Sequence, residues 1–275
     1  MIDPGHGGWD PGSTEFDGRS EASWTWPMSK ALGDHLSSRY DVQVLYTHQG
    51  SDTSLATPQE FPNPDVRLAR ELQRRAQVAN DAHADLLISM HHDASGSPQV
   101  RGASLYIWTD RRAPDGGLVW LDAEGNHRAP RSYAIASQVV PALKDALAAR
   151  GIPWRGFKTA DFGVLRAANC PCMLIEWFEG TSPDDLRIAR DPAFISGMAA
   201  TLGDALARAI GIPARTPAVP VPVTINVTGV LRGNTTYVAI DGHEQPVRAW
   251  AAAHGFETVN WIPADQGGPR VTVSK

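Results

Sequence analysis

The sequence predicts an α/β layered domain followed by a smaller second domain, and three observations carry that reading. Short aliphatic runs alternate with amphipathic helical patterns through residues 1–212. A proline-rich stretch, IPARTPAVPVPV from Ile212 to Val223, then interrupts the pattern. Its prolines fix φ and remove backbone donors, which suits an extended linker over residues 213–223. Beyond it, residues 224–275 switch to alternating β-type segments.

The elements follow in chain order. Lys30–Arg39 reads as a helix, with Leu32 and Leu36 one turn apart. Val42–Tyr46 is an aliphatic, β-type run and is expected to be a buried strand. Asp65–Ala82 places Leu68, Leu72, Ala76 and Ala79 at helical spacing. Asp85–Met90 and Ala103–Trp108 are the next two strands, and Met173–Phe178 is a fourth. Ser132–Arg150 and Asp191–Ile210 are helices, each closed by the glycine expected after a helix, Gly151 and Gly211. In the small domain, TINVTG, TTYVAI and RVTVSK are strands, and Pro246–His254 is a short helix ending at Gly255.

Composition narrows the function classes. Hydrophobic residues make up 42% of the 275 residues, enough to build a core, and 20% are charged, so wholesale disorder is excluded. Net charge is −5, which gives no cationic surface for nucleic acid. No uninterrupted apolar run reaches membrane-spanning length, so no membrane partner is expected. The opening MIDPGHGG has no basic or apolar leader pattern, so no signal peptide is visible. Cys170 and Cys172 are separated by one residue, too close for an unstrained disulfide, and read as buried thiols. Oligomeric state is not legible.

Three stretches bring metal-type donors to strand ends or glycine turns. Ile2–Gly8 (IDPGHGG) carries His6, Ser89–Asp93 (SMHHD) carries His91 and His92, and Met173–Glu176 (MLIE) ends in a carboxylate. Donors at strand ends form a rigid constellation at one edge of a sheet, where α/β folds place their sites. Zinc hydrolases use three His, Asp or Glu ligands and leave a position for water. Successive strand residues face opposite sides, so only one of His91 and His92 easily faces an ion.

These motifs, in this order, resemble the zinc-dependent N-acetylmuramoyl-L-alanine amidases of the type 3 amidase family. IDPGHGGWDPGS resembles the opening motif, and ADLLISMHHDA resembles the strand ending in Ser-x-His-x-Asn-Ala. PCMLIE resembles the final strand. The resemblance implies the family's central, mostly parallel twisted sheet flanked by helices. It implies one Zn²⁺ per chain held by His6, Glu21 and His91, with Glu176 as the catalytic glutamate. Asp93 stands where the family has asparagine, and His92 is left to line the cleft or to support a ligand. Arg75 is a candidate for holding the site together, against the ordinary reading of a solvated helix-face charge. Glu15 and Glu179 read as solvated carboxylates. Trp9, Trp24 and Trp26 are candidates for lining a glycan groove. His35, His48, His83, His127, His243 and His254 carry no motif.

The implied activity is hydrolysis of the amide between N-acetylmuramic acid and L-alanine in peptidoglycan, at the cell wall. Alternatives are a zinc peptidase acting within the stem peptide, or a non-catalytic wall-binding protein. With no leader visible, action at the wall implies phage-type lysin release or a start that lies inside the natural chain. Only Met1 and Ile2 precede the Asp-Pro-Gly-His turn, so either a shortened first strand or a start inside the natural one is expected. Thr47-His48 replaces the family's Thr-Arg, and Pro27 predicts a first helix that begins late or kinks. VRAWAAAHGFETVNW is similar to a stalk-type module described as copper-amine-oxidase-N-terminal-like, with wall binding, spacing or oligomerisation as its implied roles.

Overall fold

The structure, a computed structural model, describes residues 1–108 and 128–215, then 223–226, 229–232, 235–240, 243–253, 255, 258–262 and 270–274. His127, His254 and the proline-rich stretch from residue 216 to 222 lie outside the described residues. The chain divides into two compact units, Met1–Arg215 and Thr216–Lys275.

The first unit is built on β1 (Ile2–Pro4), β2 (Leu87–Asp93), β3 (Ala103–Trp108), β4 (Trp154–Ala160) and β5 (Cys172–Glu179). Around them lie α1 (Ala22–Arg39), α2 (Pro64–Asp81), α3 (Arg128–Ala149), α4 (Gly163–Ala167), α5 (Pro183–Ala189) and α6 (Pro192–Ile210). The strands form one sheet in the order β1-β2-β5-β3-β4. Pairing is parallel for β1–β2, β2–β5 and β3–β4, and antiparallel for β5–β3. The carboxyl ends of β1, β2 and β5 therefore share an edge with the amino ends of β3 and β4.

Strand alternation splits the core into two layers. Ile88, Met90, Met173, Ile175, Leu105 and Ile107 pack with α1, α3 and α6 on one face. Leu87, Leu174, Cys172 and Trp108 pack with α2 and α4 on the other. Both cysteines are buried, and no disulfide joins them. α6 has the length and mean hydropathy of a membrane span, but Leu202 and Leu206 lie in the core, where it packs on α1 and α3. Helix ends follow local chemistry: Asn63 and Asp191 cap α2 and α6 ahead of Pro64 and Pro192, and Gly211 ends α6 with φ +71°.

Two expectations are corrected, and one strand is new. Val42–Tyr46 forms no strand; it touches the sheet through one bridge, Ile2 to Tyr46, because a three-residue β1 offers too little edge to pair. The first helix begins at Ala22, ahead of Pro27, and runs through it. β4 was not foreseen, since an edge strand reading WRGFKTA has neither an apolar run nor clean alternation.

The second unit contains β6 (Val223–Asn226), β7 (Gly229–Arg232), β8 (Thr235–Ile240), β9 (His243–Pro246), α7 (Val247–Ala253), β10 (Thr258–Ile262) and β11 (Arg270–Ser274). β7, β8 and β9 form an antiparallel meander, and β10, β11 and β6 a second antiparallel sheet.

One buried cation ties α2 to the end of β1. Arg75 is 2% exposed, so of its two readings the ordinary one of a solvated helix-face charge does not hold. Its guanidinium donates to Glu71 Oε1 at 2.8 Å, to Asp3 Oδ1 at 3.2 Å, to the Pro4 carbonyl, and to the His6 carbonyl at 2.7 Å. Thr47 and Ser89 donate to the remaining lone pairs of Asp3, and Glu71 Oε2 accepts the amides of Leu55 and Ala56. Burial pushes the Asp3 carboxyl up, but Arg75 and the two hydroxyls outweigh it and hold it below its ordinary value.

Arg75→Met keeps the aliphatic stem and strands two buried carboxylates, so it is expected to cost about 3–5 kcal/mol in urea unfolding. A loss below about 1 kcal/mol would show that the network does not carry stability. Because the folded Asp3 pKa lies below the unfolded value of about 3.9, its contribution is present above that pH and disappears as pH falls through the folded value. A chain ended at Arg215 is expected to melt cooperatively by circular dichroism, since α6 closes the first unit's core; a non-cooperative melt would make the second unit part of that core.

Candidate active site

At the mixed edge of the sheet, β1 ends in the turn that carries His6. Its backbone is left-handed, with φ +61°, a conformation that costs a non-glycine residue about 1–3 kcal/mol unless its surroundings enforce it. Arg75 holds the His6 carbonyl, and His6 Nδ1–H donates to Asp10 Oδ2 at 2.9 Å. That bond fixes the tautomer and leaves Nε2 as the available donor atom. Nε2 lies 3.2 Å from Glu21 Oε2. Gly12 packs against both residues: at φ +73°, a Cβ there would sit 2.6 Å from His6 Cδ2 and 2.8 Å from Glu21 Cβ.

Glu21 immediately precedes α1. Its Oε2 accepts the amide and hydroxyl of Ser13 at 3.1 and 3.0 Å, and its Oε1 accepts the amide of His92 at 3.1 Å. His91 Nδ1 lies 3.0 Å from the same Oε1. One nitrogen from each histidine and one Glu21 oxygen lie within 4.8 Å of one another. This His-Glu-His set could hold a metal ion. The electrostatics favour positive charge. Burial works against protonation of His6, but the Asp10 and Glu21 carboxylates push its pKa up to about 10. Glu21 is also buried, yet the two histidines hold its carboxyl far below the ordinary range.

Glu176 is register-paired with His91 across β2–β5 and shares its face of the sheet. Its Oε2 is buried without a hydrogen-bond partner among the described residues. Burial, followed by the Glu21 and Asp93 carboxylates, holds the Glu176 carboxyl well above the usual range. The next strand places Ser104 opposite Glu176. Lys158 of β4 donates to Ser104 Oγ at 3.0 Å.

His92 turns to the other face, as strand alternation requires. Its side chain is fully buried against Trp24 and Phe178, and Nε2 pairs with Glu15 at 3.0 Å. Arg190 pairs with the second Glu15 oxygen. Glu15 is therefore a buried brace, not the solvated carboxylate that a polar loop suggested. Glu179 is likewise fully buried and paired with Arg155, which also holds Asp93 at 3.1 Å. Trp24 is 1% exposed and belongs to the core, so it cannot line a groove. Trp26 packs on Tyr46, while Trp9 lies under the Arg67 guanidinium and donates to the Ala56 carbonyl.

Sequence reasoning missed Asp10, Ser13, Glu15, Arg155 and Arg190 as partners of the site. Asp10 alone had a local signal, four residues after His6 in the same glycine-rich turn. The others are joined by tertiary contacts that no short motif records.

Residues 1–208 match the family described as N-acetylmuramoyl-L-alanine amidase. The probable N-acetylmuramoyl-L-alanine amidase AmiB of Haemophilus influenzae is 34% identical over 122 residues, 44% of this chain and 24% of that protein. The sporulation-specific N-acetylmuramoyl-L-alanine amidase of Bacillus subtilis is 28% identical over 212 residues, 77% of this chain and 68% of that protein. The chain thus spans about a quarter of the first relative's length and about two thirds of the second's. In fold it is similar to the catalytic domain of the amidase CwlV from Paenibacillus polymyxa, with TM-score 0.58, 20% identity and coverage of 77% of this chain and 97% of that one. The CwlD amidase of Clostridioides difficile gives TM-score 0.63 at 20% identity, covering 76% of this chain and 96% of that one. With the family pattern running through all five strands and nearly all of α6, the chain belongs to the N-acetylmuramoyl-L-alanine amidase family.

Proposed function

We propose that the chain hydrolyses the amide between N-acetylmuramic acid and L-alanine of peptidoglycan, as a zinc-dependent enzyme acting at the cell wall. The observation that carries this reading is the convergence of His6, Glu21 and His91 on the sheet edge that holds Glu176, whose Oε2 is buried without a hydrogen-bond partner among the described residues, in a chain of this family. His6, Glu21 and His91 would hold one Zn²⁺. Bound there, the ion supplies Lewis-acid polarisation of the scissile carbonyl and lowers the pKa of water.

The remaining work falls to the protein. Asp10 keeps His6 Nδ1 protonated and its Nε2 directed at the cluster. Ser13 and the His92 amide fix the plane of the Glu21 carboxylate. Glu176 takes a proton from the attacking water and delivers it to the departing alanine nitrogen. Its environment, buried and close to other carboxylates, makes it a stronger base than a solvated glutamate and lets it hold that proton through the step. The second unit, with residues 213–223 as linker, would bind the wall, act as a spacer or oligomerise the enzyme.

Purified protein is expected to contain about one zinc per chain by elemental analysis, and chelation should abolish hydrolysis until zinc is returned. Full activity in the metal-free protein would overturn the zinc assignment. Glu176→Gln should keep its zinc while losing about 10²–10⁴-fold in turnover; loss of the ion would make Glu176 a ligand instead. Mass spectrometry of digested walls should show new L-alanine amino termini on released peptides. Cuts inside the stem peptide would indicate the peptidase reading, and no products the wall-binding one.

A further inference from the structure

A row of side chains crosses the site face of the sheet at one level. His91 of β2 is paired with Glu176 of β5, Glu176 with Ser104 of β3, and Ser104 with Gly156 of β4. Neighbouring strands lie about 4.8 Å apart, so Ser104 is one step beyond Glu176 and two beyond the metal donors.

The far end of this row carries a bulge. Register jumps from Ala103–Trp154 to Ser104–Gly156, leaving Arg155 as the extra residue. Bulges beside active sites re-aim side chains. Here the guanidinium of Arg155 goes to Asp93 and Glu179. Gly156, at φ +131°, leaves the site face bare, and the stem of Lys158 folds back over it; a Cβ at Gly156 would lie 3.5 Å from Lys158 Cε. The ammonium thus reaches Ser104 Oγ at 3.0 Å and stays 5.5 Å from the Tyr106 ring centroid. Ser104 is 1% exposed, while Lys158 is half-buried.

Lys158 makes no ion pair among the described residues, unlike Arg75, Arg101, Arg155 and Arg190, which also bear on the interior. Ser104 accepts one of its three N–H donors. A half-buried ammonium seated on Ser104, the residue register-paired with Glu176, and without an ion pair among the described residues, is a receptor for an anion.

The reaction order along the row decides which anion. The scissile nitrogen faces Glu176, because that residue protonates it. A peptide that continues from that nitrogen away from the metal donors would run over β3. An extended peptide advances about 3.3–3.6 Å per residue, so a carboxylate within two residues of the nitrogen comes to Ser104 and Lys158. We propose that Lys158, seated on Ser104, binds a carboxylate of the leaving stem peptide and so selects acidic over amidated stems. This inference rests on the amidase reading above.

The test uses two soluble N-acetylmuramoyl-L-alanyl peptides that differ only at the residue after alanine, which carries a free carboxylate in one and its primary amide in the other. The zinc-loaded parent is expected to favour the acid by about 10–100-fold in kcat/KM, expressed mainly in KM, the range for a hydrogen bond to a charged group. Lys158→Met should bring that ratio close to one, and Lys158→Arg should restore most of it. Calorimetric binding of the two released-type peptides, L-alanyl-acid and L-alanyl-amide, provides a readout independent of turnover. The parent should bind the acid more tightly, and the difference should vanish in Lys158→Met. A parent indifferent to amidation overturns the proposal, as does an equal loss on both substrates in Lys158→Met with the ratio intact. If the parent cleaves neither substrate, the amidase reading fails, while the binding difference still decides whether Lys158 receives the carboxylate.

Discussion

The candidate site depends on the enclosure of one guanidinium. Arg75 is the junction of α2, the end of β1 and the turn bearing His6, and it offers its donors to two carboxylates and two carbonyls. A buried ion pair is stabilising only when geometry and hydrogen bonding are complete, and here each member has further partners. Glu71 extends the network to the Leu55–Ala56 amides, and the Ala56 carbonyl in turn receives the Trp9 indole. The strained backbone of His6 is therefore set by a helix more than sixty residues away in sequence. Removing any partner leaves another buried charge uncompensated, so the network selects one arrangement of turn, helix and strand.

The second organising feature is the reversal of direction between β5 and β3. An all-parallel sheet would put only strand carboxyl ends at the site. Here β2 and β5 supply His91 and Glu176 from their carboxyl halves, and β3 and β4 present their amino ends on the same edge. Irregular register at both places, between His91 and Asp93 and again between Ala103 and Ser104, lets neighbouring residues depart from strict alternation. Asp93, Glu179 and Arg155 meet through those two irregularities. The acidic Asp93 thus has a cationic partner at the position where the family resemblance led one to expect asparagine.

The sequence was most informative where chemistry is local. Strands β2, β3 and β5 were visible as apolar runs, and α2, α3 and α6 through periodicity and their end residues. His6, His91 and Glu176 stood out because each sits in a short motif at a strand end or turn, whereas Glu21 was singled out only by its place in the family resemblance. What could not be read was set by distant contacts. Val42–Tyr46 has the composition of a strand but lacks an edge long enough to pair with. β4 has the edge but an unremarkable sequence. Glu15, Glu179 and Arg75 look solvated by residue type, and only the folded chain supplies the opposite charges that allow their burial. Trp24 looked like a ring available to a glycan, yet it fills the core beside His92.

The adjacent histidines of β2 have a kinetic consequence. His91 contributes its ring to the cluster, while His92 contributes its backbone amide to Glu21 and its ring to the buried Glu15. β2 is paired on both sides, with β1 and with β5, so this half of the site opens only when the sheet itself opens. His6 and the Asp10 that orients it lie in the connecting chain between β1 and α1, where opening is governed by a few hydrogen bonds. The two sides of the cluster thus open differently, the His6 side with its connecting turn and the His91 side only with the sheet.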